Sequence, residues 1–596
     1  MKSLAIFIVV LFMTFGAIAT LNETPVNFRE KVKKEFINFS EPFIEENAVR
    51  IDGCANLISE NKPVIPFYKK TYIYPAGTSF KIEISPAEIK NIGKINLPSS
   101  YIPVPPGYEL KKGSYNADIV YPEKWYSYDV ISGFKNGRRV SILNIYFYPL
   151  RYVAGDGFFA EKFELKIEYE IPEKPLFSND EYDLLIICPE EWKEDLQIFK
   201  EHKESHGIRT VIAGLNEIYS GKYFSTQGRD DAEKIKYFIK DAIEQWGIKY
   251  VLLVGGRKPG IEERWYVPVR YVYVYWADEI KYISDLYFAD IYDGNYNFSS
   301  WDTDGNNVFG EWKTFGNLND EMDLYPDVYV GRWACRNKME LKIMIEKTVS
   351  YENRKASKRI VLAGGDNFDA EGIEGEIVCD KSLSYLPGFE GDKIYVSFGD
   401  VTSKAMKEGL NKGASFIHLH GHGSPIYWST HKPGSEEWED GLKFYDLPFF
   451  FNEEYPIAVI GGCHTAMFNV SITIHPWTGG IPAPEGLSWW FARKYNGGAI
   501  ASLGYTAFPV ATPGEEGDLD GDGINDPDCA ESGYGYMQIN FFKAYGTEGN
   551  EYLGECWGYA VGEYVEHFKI PYQRWHLHTI QSFVLLGDPS LKIGGY

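Results

Sequence analysis

The sequence predicts an α/β protein, with two consecutive α/β units preceded by an all-β N-terminal region. Three observations carry this. From residue 182 onward, short continuous apolar runs alternate with helical stretches. Before residue 175 the hydrophobic residues alternate along strand-like runs that turn at glycines. A chain of 596 residues is also too long for one ordinary domain.

The first segment is a leader. "MKSLAIFIVVLFMTFGAIA" has Lys2 as a basic start, an apolar core from Leu4 to Phe15, and Ala17-Ile18-Ala19 as a small-residue cleavage site. That layout makes 1–19 a signal peptide and places the mature protein outside the cell. No later stretch is long or apolar enough to cross a bilayer, so no stable membrane insertion is expected after cleavage.

Residues 20–177 read as the β-rich region. "KKTYIYPAGTSFKIEIS" alternates around a Pro-Ala-Gly turn, and "RRVSILNIYFYPLRYVAGDGFFAEKFELKIEYEI" gives two long runs joined as a hairpin at "AGDG". "INLPSSYIPVPPGYEL" is a Pro-rich connection. Residues 178–355 form the first α/β unit. Its buried strands are Tyr182–Cys188, "IRTVIA" and "IKYVLLVGG"; one helix runs from about Lys193 to His206, another from Asp230 to Trp246, stopped by Gly247. The pattern lapses between Arg264 and Trp333. Residues 356–596 form the second unit, with strands at "RIVLAGG", "KIYVSF", "ASFIHLHGHG", "IAVIGGC" and "GAIASLG". Helices are expected over about Glu371–Leu386, Thr402–Lys412 and "EGLSWWFARKY". Continuous apolar strands imply a mostly parallel sheet covered on both faces.

The net charge of −24 argues against a nucleic-acid partner, which needs clustered Lys and Arg. Seven cysteines, Cys54, Cys188, Cys335, Cys379, Cys463, Cys529 and Cys556, form no CxxC pair, and an odd number leaves at least one thiol outside any intrachain disulfide.

Chemistry concentrates at two strand ends. In "ASFIHLHGHGSPIYW", His418 falls inside the strand and His422 on the loop after it, because Gly421 and Gly423 interrupt the strand. In "YPIAVIGGCHTAMF", another buried strand ends in Gly-Gly and delivers Cys463. Ligands bind at the carboxyl edge of such sheets. A Cys nucleophile needs a base and donors for an oxyanion; His422 supplies the first, the amides of Gly423 and Cys463 the second. His418 and His420 read as core or supporting residues. A rival chemistry is a metal-dependent hydrolase, with His418, His420 and His422 as zinc or iron ligands and His464 and His475 as further donors. A catalytically inactive extracellular binding module on the same fold is the other alternative.

"GHGS" followed by a Trp, an apolar strand ending in Cys463, and the terminal "GDPSL" together resemble the gingipain family of cysteine peptidases. "SDLYFADIYDG" (284–294) and "DLYPDVYVGRW" (323–333) also look like family blocks. The resemblance spans about 180–596, and the region before it looks like a gingipain propeptide. It implies a caspase-like fold of two side-by-side α/β subdomains, His422 as catalytic His, Cys463 as nucleophile, and an oxyanion hole from Gly423 and Cys463. The family's His-orienting Glu falls at Ala363 here, with Asp366 as the substitute nearby. Members that cut after Arg or Lys hold the basic side chain with an acid in the next helix, and Glu374 stands near that place.

"GDLDGDGINDPDC" places Asp518, Asp520, Asp522, Asp526 and Asp528 around glycines, a pattern that gathers carboxylates on calcium. No Glu occupies the twelfth position. "WDTDGNN" (301–307) is half such a motif. The sequence therefore predicts a secreted cysteine endopeptidase acting on proteins or peptides, made as a zymogen, with structural calcium and no organic cofactor. Its connector, "EIPEKPLFSNDEYD" (170–183), suits proteolytic release of the N-terminal region, although Lys174 is followed by Pro175.

Overall fold

Every residue of Leu184–Cys188 and of Tyr250–Val254 is buried, so both strands lie in a sheet covered on its two faces. The sheet is parallel throughout, in the order Thr210–Gly214, Leu184–Cys188, Tyr250–Val254, Tyr329–Trp333. The computed structural model describes residues 28–44, 49–276, 279–312, 320–368, 372–472, 475–515, 517–568 and 574–596. The signal peptide read at 1–19 lies outside these residues.

Local chemistry fixes the helices of this unit. Asp230 accepts the Glu233 amide at 2.8 Å and caps the helix Asp231–Trp246, a device worth about 1 kcal/mol. Gly247 ends it in the left-handed region at φ 75°. The expected helix at 193–206 is shorter: a 3-10 turn at Glu190–Trp192 precedes Gln197–Ser205.

The second sheet has the order Glu390–Tyr395, Arg359–Gly364, Phe416–His420, Ile457–Ile460, Ala501–Tyr505, Phe583–Leu586. Five strands are parallel and the last is antiparallel to Ala501–Tyr505. The helices Glu374–Ser384, Ser403–Asn411 and Leu487–Arg493 fall inside the expected ranges. The two sheets meet edge to edge: a Cβ on Gly331 would overlap the carbonyl oxygen of Gly587.

The described residues of the N-terminal region are all β, in two larger antiparallel sheets and a short ladder of Phe43–Ile44 with Val49–Arg50. One contains Phe28–Asn38, Ser79–Lys94, Val120–Tyr121, Leu150–Val153 and Asp156–Pro172; the other contains Ala55–Leu57, Ile65–Pro75, Tyr126–Lys135 and Arg138–Phe147. The "AGDG" hairpin is present, with Val153 paired to Asp156. Its first run is broken at Pro149, however, and Arg138–Phe147 belongs to the other sheet. The Pro-Ala-Gly turn likewise joins strands of different sheets rather than a hairpin. The core also ignores the expected boundary at 177. Ile131, Val140 and Ile142 join one buried cluster with Leu185, Val251 and Val330 of the first α/β sheet. All seven cysteines are free thiols, and six are buried.

The end of the chain is tied in by charge. Lys203, fully buried, reaches Glu352 at 2.7 Å, Asp588 of the "GDPSL" block at 2.6 Å and the Ser590 carbonyl at 3.1 Å. Lys203→Ala is expected to cost about 3–5 kcal/mol, because it removes the buried cation shared by Asp588 and Glu352, of which Glu352 alone keeps an ionisable partner, His202 at 2.8 Å. A thermal melt of the variant measures this as a large drop in melting temperature.

Candidate active site

Two strand ends build the site. His422 begins a short strand, His422–Ser424, rather than lying on a loop; a hairpin pairs this strand with Tyr427–Ser429. Ser424 and Tyr427 close the hairpin around a two-residue loop. Hydrogen-bonded and open pairs alternate along an antiparallel ladder, so Gly423, opposite Trp428, is an open pair whose amide points away from the hairpin. It points toward the neighbouring strand end. A Cβ on Gly462 would lie 2.7 Å from the Gly423 nitrogen and 2.7 Å from the His422 carbonyl carbon. A Cβ on Gly423 would lie 2.8 Å from the Cys463 carbonyl oxygen. Gly462 also has φ 136°, outside the reach of ordinary side chains. Only glycines let the two backbones come this close, so the segments that carry His422 and Cys463 lie side by side.

The His422 ring stands edge-on to His431, with centroids 5.0 Å apart, and to Trp438 at 4.9 Å. It hydrogen-bonds the backbone of Asp366, and its Nε2 has no hydrogen-bond partner. Burial and then the neighbouring His431 lower its pKa to about 3, against the Asp366 contact. Cys463 is 6% exposed. Burial, reinforced by the carboxylate of Glu279, pushes its thiol above the ordinary range.

Asp366 therefore meets His422 through its main chain. Its carbonyl also accepts the Thr430 hydroxyl at 3.0 Å, its amide donates to the His431 carbonyl at 3.0 Å, and its Oδ1 accepts the Phe368 amide at 2.9 Å. Glu374 opens the helix Glu374–Ser384 and accepts the Asn367 amide at 3.2 Å, next along the chain from Asp366. Burial, and then the charge of Asp366, raise its pKa.

His418 and His420 point elsewhere. Oε1 of Gln538 accepts from His420 Nδ1 at 2.6 Å and from His418 Nε2 at 3.2 Å, and His420 stacks on Tyr534. Among the described residues, the metal-competent groups include none of the three histidines, so the cluster behind the metal-hydrolase alternative does not assemble. His464 instead hydrogen-bonds Glu279, and His475 accepts the Trp477 amide at 3.3 Å.

A segment of the N-terminal region lies over the site. Val104 and Ala511 exchange backbone hydrogen bonds of 3.3 and 3.0 Å. The chain then turns, and the Gly107 amide donates to the Asn367 carbonyl at 3.2 Å. A Cβ on Gly107 would lie 3.3 Å from His422 Nδ1. Tyr108 packs edge-on to Phe508 at 5.7 Å.

In the acidic loop, carboxylates of Asp518, Asp520 and Asp522 converge within 4.8 Å of one another. Asp526 does not join them, being held in an ion pair by Lys381. The Asp528 carboxylate is turned toward Gly514, whose Cβ would lie 3.3 Å from it. Glu531, which the sequence did not single out, accepts the Leu519 amide at 2.7 Å; burial and the charges of Asp520 and Asp518 raise it to about 8. Burial and then Asp522 bring Asp520 up to about 7. The half-motif gathers Asp302, Asp304 and Asp320, and Asp302 is ion-paired to Arg229.

Residues 177–594 match the family model of Peptidase family C25. Gingipain R2 of Porphyromonas gingivalis is 24% identical over 299 residues, covering 48% of this chain and 33% of that protein. The chain thus spans about a third of that curated relative's length. Gingipain R1 of the same species is 24% identical over 290 residues, covering 47% of this chain and 24% of the relative. The crystal structure of the Arg-specific cysteine proteinase gingipain R aligns at TM-score 0.46 and 17% identity, over 70% of this chain and 80% of that one. With the family model covering well over half of its length, the chain belongs to Peptidase family C25, the gingipain family of cysteine peptidases.

Proposed function

We propose that the chain is an exported cysteine endopeptidase that cleaves protein or peptide substrates through Cys463 and His422. The supporting observation is the close backbone approach of Gly423 and Gly462, which brings the strand ends carrying His422 and Cys463 side by side. In the reaction, His422 takes the thiol proton and the Cys463 sulfur bonds to the substrate carbonyl carbon. The Gly423 and Cys463 amides hold the resulting oxyanion. The intermediate expels the amine, which leaves with the proton from His422. Water, deprotonated by the same imidazole, then hydrolyses the thioester. The Asp366 carbonyl, fixed by Thr430 and His431, does the orienting that a carboxylate would otherwise do. Glu374, at the head of its helix, is our choice for contact with a basic substrate side chain.

Latency fits the same geometry. With Gly107 against His422, burial holds both the thiol and the imidazole neutral, so proton transfer between them is uphill. Displacing the segment would admit water and bring the two groups closer in affinity for the proton. The deciding experiment is incubation of the full chain, before and after limited proteolysis at 173–181, with a varied peptide library, with and without a thiol alkylator. Alkylator-sensitive cleavage supports the reading. Cleavage indifferent to alkylation, or none after processing, refutes it.

Asp518, Asp520 and Asp522 fit a calcium ion: three hard oxygen donors converge, and burial, then the charge of Asp522, raises the pKa of Asp520 to about 7, which a divalent charge would relieve. The ion would brace the loop ahead of the helix Gly533–Gly546. Chelation is expected to lower the melting temperature, since calcium at about 100 times its Kd stabilises by about 2.7 kcal/mol. Asp520→Ala should melt alike with and without chelator.

A further inference from the structure

The residue after the nucleophile is held in an unusual way. His464 has φ 57°, a conformation that costs a non-glycine residue roughly 1–2 kcal/mol. Such strain persists only where surroundings over-determine it, and it clusters at functional sites. Here the surroundings are specific. His464 Nε2 lies 3.0 Å from Glu279 Oε1. Its ring stacks on Trp477, centroids 4.8 Å apart, and meets Phe508 edge-on at 4.5 Å. Its amide donates to the Ala507 carbonyl at 3.0 Å. The second oxygen of Glu279 accepts the Phe508 amide at 3.3 Å and lies 4.0 Å from His578 Nδ1. Glu279 and His464 are 4% and 2% exposed.

Glu279 belongs to the irregular stretch of the first α/β unit, while His464 belongs to the second. A buried carboxylate is a poor stabiliser: an apolar pair of similar volume commonly does as well or better. What it offers is direction. It fixes the imidazole at one end and the Phe508 backbone at the other, and so ties the segment that carries Cys463 to the one that carries Phe508.

We propose that Glu279 is a positioning residue for the nucleophile, acting through His464 to hold the Cys463 segment in its strained, productive conformation. This rests on the peptidase reading above. The carboxylate touches no reacting atom in this role; it fixes where the sulfur stands relative to His422 and the two amides. A displacement of about 1 Å at a reacting atom can cost on the order of 10²-fold in rate.

The test uses the full chain, processed by limited proteolysis, as Glu279→Leu, Glu279→Gln, His464→Gly and the double variant Glu279→Leu/His464→Gly. Glycine adopts φ 57° freely, so His464→Gly keeps the backbone path while removing the anchor. We expect Glu279→Leu and His464→Gly each to lower kcat roughly 10- to 100-fold, with KM nearly unchanged. The double variant should be no worse than either single one, since both remove one interaction. Glu279→Gln, which keeps one acceptor, should recover part of kcat. Hydrogen exchange across 461–468 should quicken in Glu279→Leu, with no comparable change in the strands Ile457–Ile460 and Phe416–His420. Unchanged kcat in a folded Glu279→Leu, additive losses, or unchanged exchange would overturn the proposal. If the unsubstituted chain cleaves nothing, the peptidase reading falls, and the exchange pattern still decides whether Glu279 holds the segment.

Discussion

Cys463→Ala is expected to reduce peptide hydrolysis by at least ~10³-fold, the scale on which removal of a covalent nucleophile acts. The reason is positional. Cys463 follows the end of Ile457–Ile460, and the close backbone contact of Gly462 and Gly423 brings its segment alongside the one that carries His422. The substitution removes one sulfur from a site already 6% exposed, so folding should survive. Thermal melts of the variant and the unsubstituted chain, run beside the hydrolysis assay, separate lost chemistry from lost structure. Most of the activity remaining in a folded variant would remove Cys463 from the mechanism.

The second large effect concerns the segment over the site. The uncut chain is expected to hydrolyse peptides slowly, and cutting the connector to release a strong activity. Glu173–Leu176 are exposed and line a cleft of about 1060 Å³ between the N-terminal sheets and the first α/β unit, so a protease can reach them. A single substitution should mimic part of this release. Gly107 has φ 84°, and its Cβ would press on His422 Nδ1. Gly107→Val should weaken the covered state by at least the ~1–2 kcal/mol of a left-handed non-glycine residue. That is roughly a 5- to 30-fold shift toward the open form. The rate of the uncut Gly107→Val chain, set against the uncut parent, measures it. Equal rates would mean that the Val104–Tyr108 segment does not limit access.

The parallel core was legible because its signal is local. A strand such as Tyr250–Val254, buried on both faces, must be a continuous apolar run, and Gly247 announces the helix end before it. The close approach of the strand ends that carry His422 and Cys463 was legible for a related reason: glycines beside polar residues at strand ends mark where backbones approach. Contacts between distant segments left no such mark. Nothing near Glu279 announces that it meets a histidine 185 residues away. Nothing in "YIPVPPGYEL" shows that Val104 pairs with Ala511 or that Gly107 lies on His422. The acidic loop was read from spacing alone, and spacing could not foresee that Lys381 draws Asp526 away. Asp366 stands near His422 as expected, but only coordinates reveal that its main chain makes the contact. The shared core of Ile131, Val140 and Leu185 escaped for the same reason: alternation along a strand tells which face is buried, not what buries it.

If the Cys463 sulfur forms the acyl-enzyme, that species can be trapped. The processed full chain would be mixed with a peptide ester, quenched in acid within the burst, digested, and mapped by mass spectrometry across all seven cysteines. The acyl group is expected on Cys463 alone, and is expected to be absent in His422→Ala under the same quench. Acylation of another residue, or rapid turnover with no acyl group on Cys463 at any quench time, would contradict a nucleophilic role for Cys463.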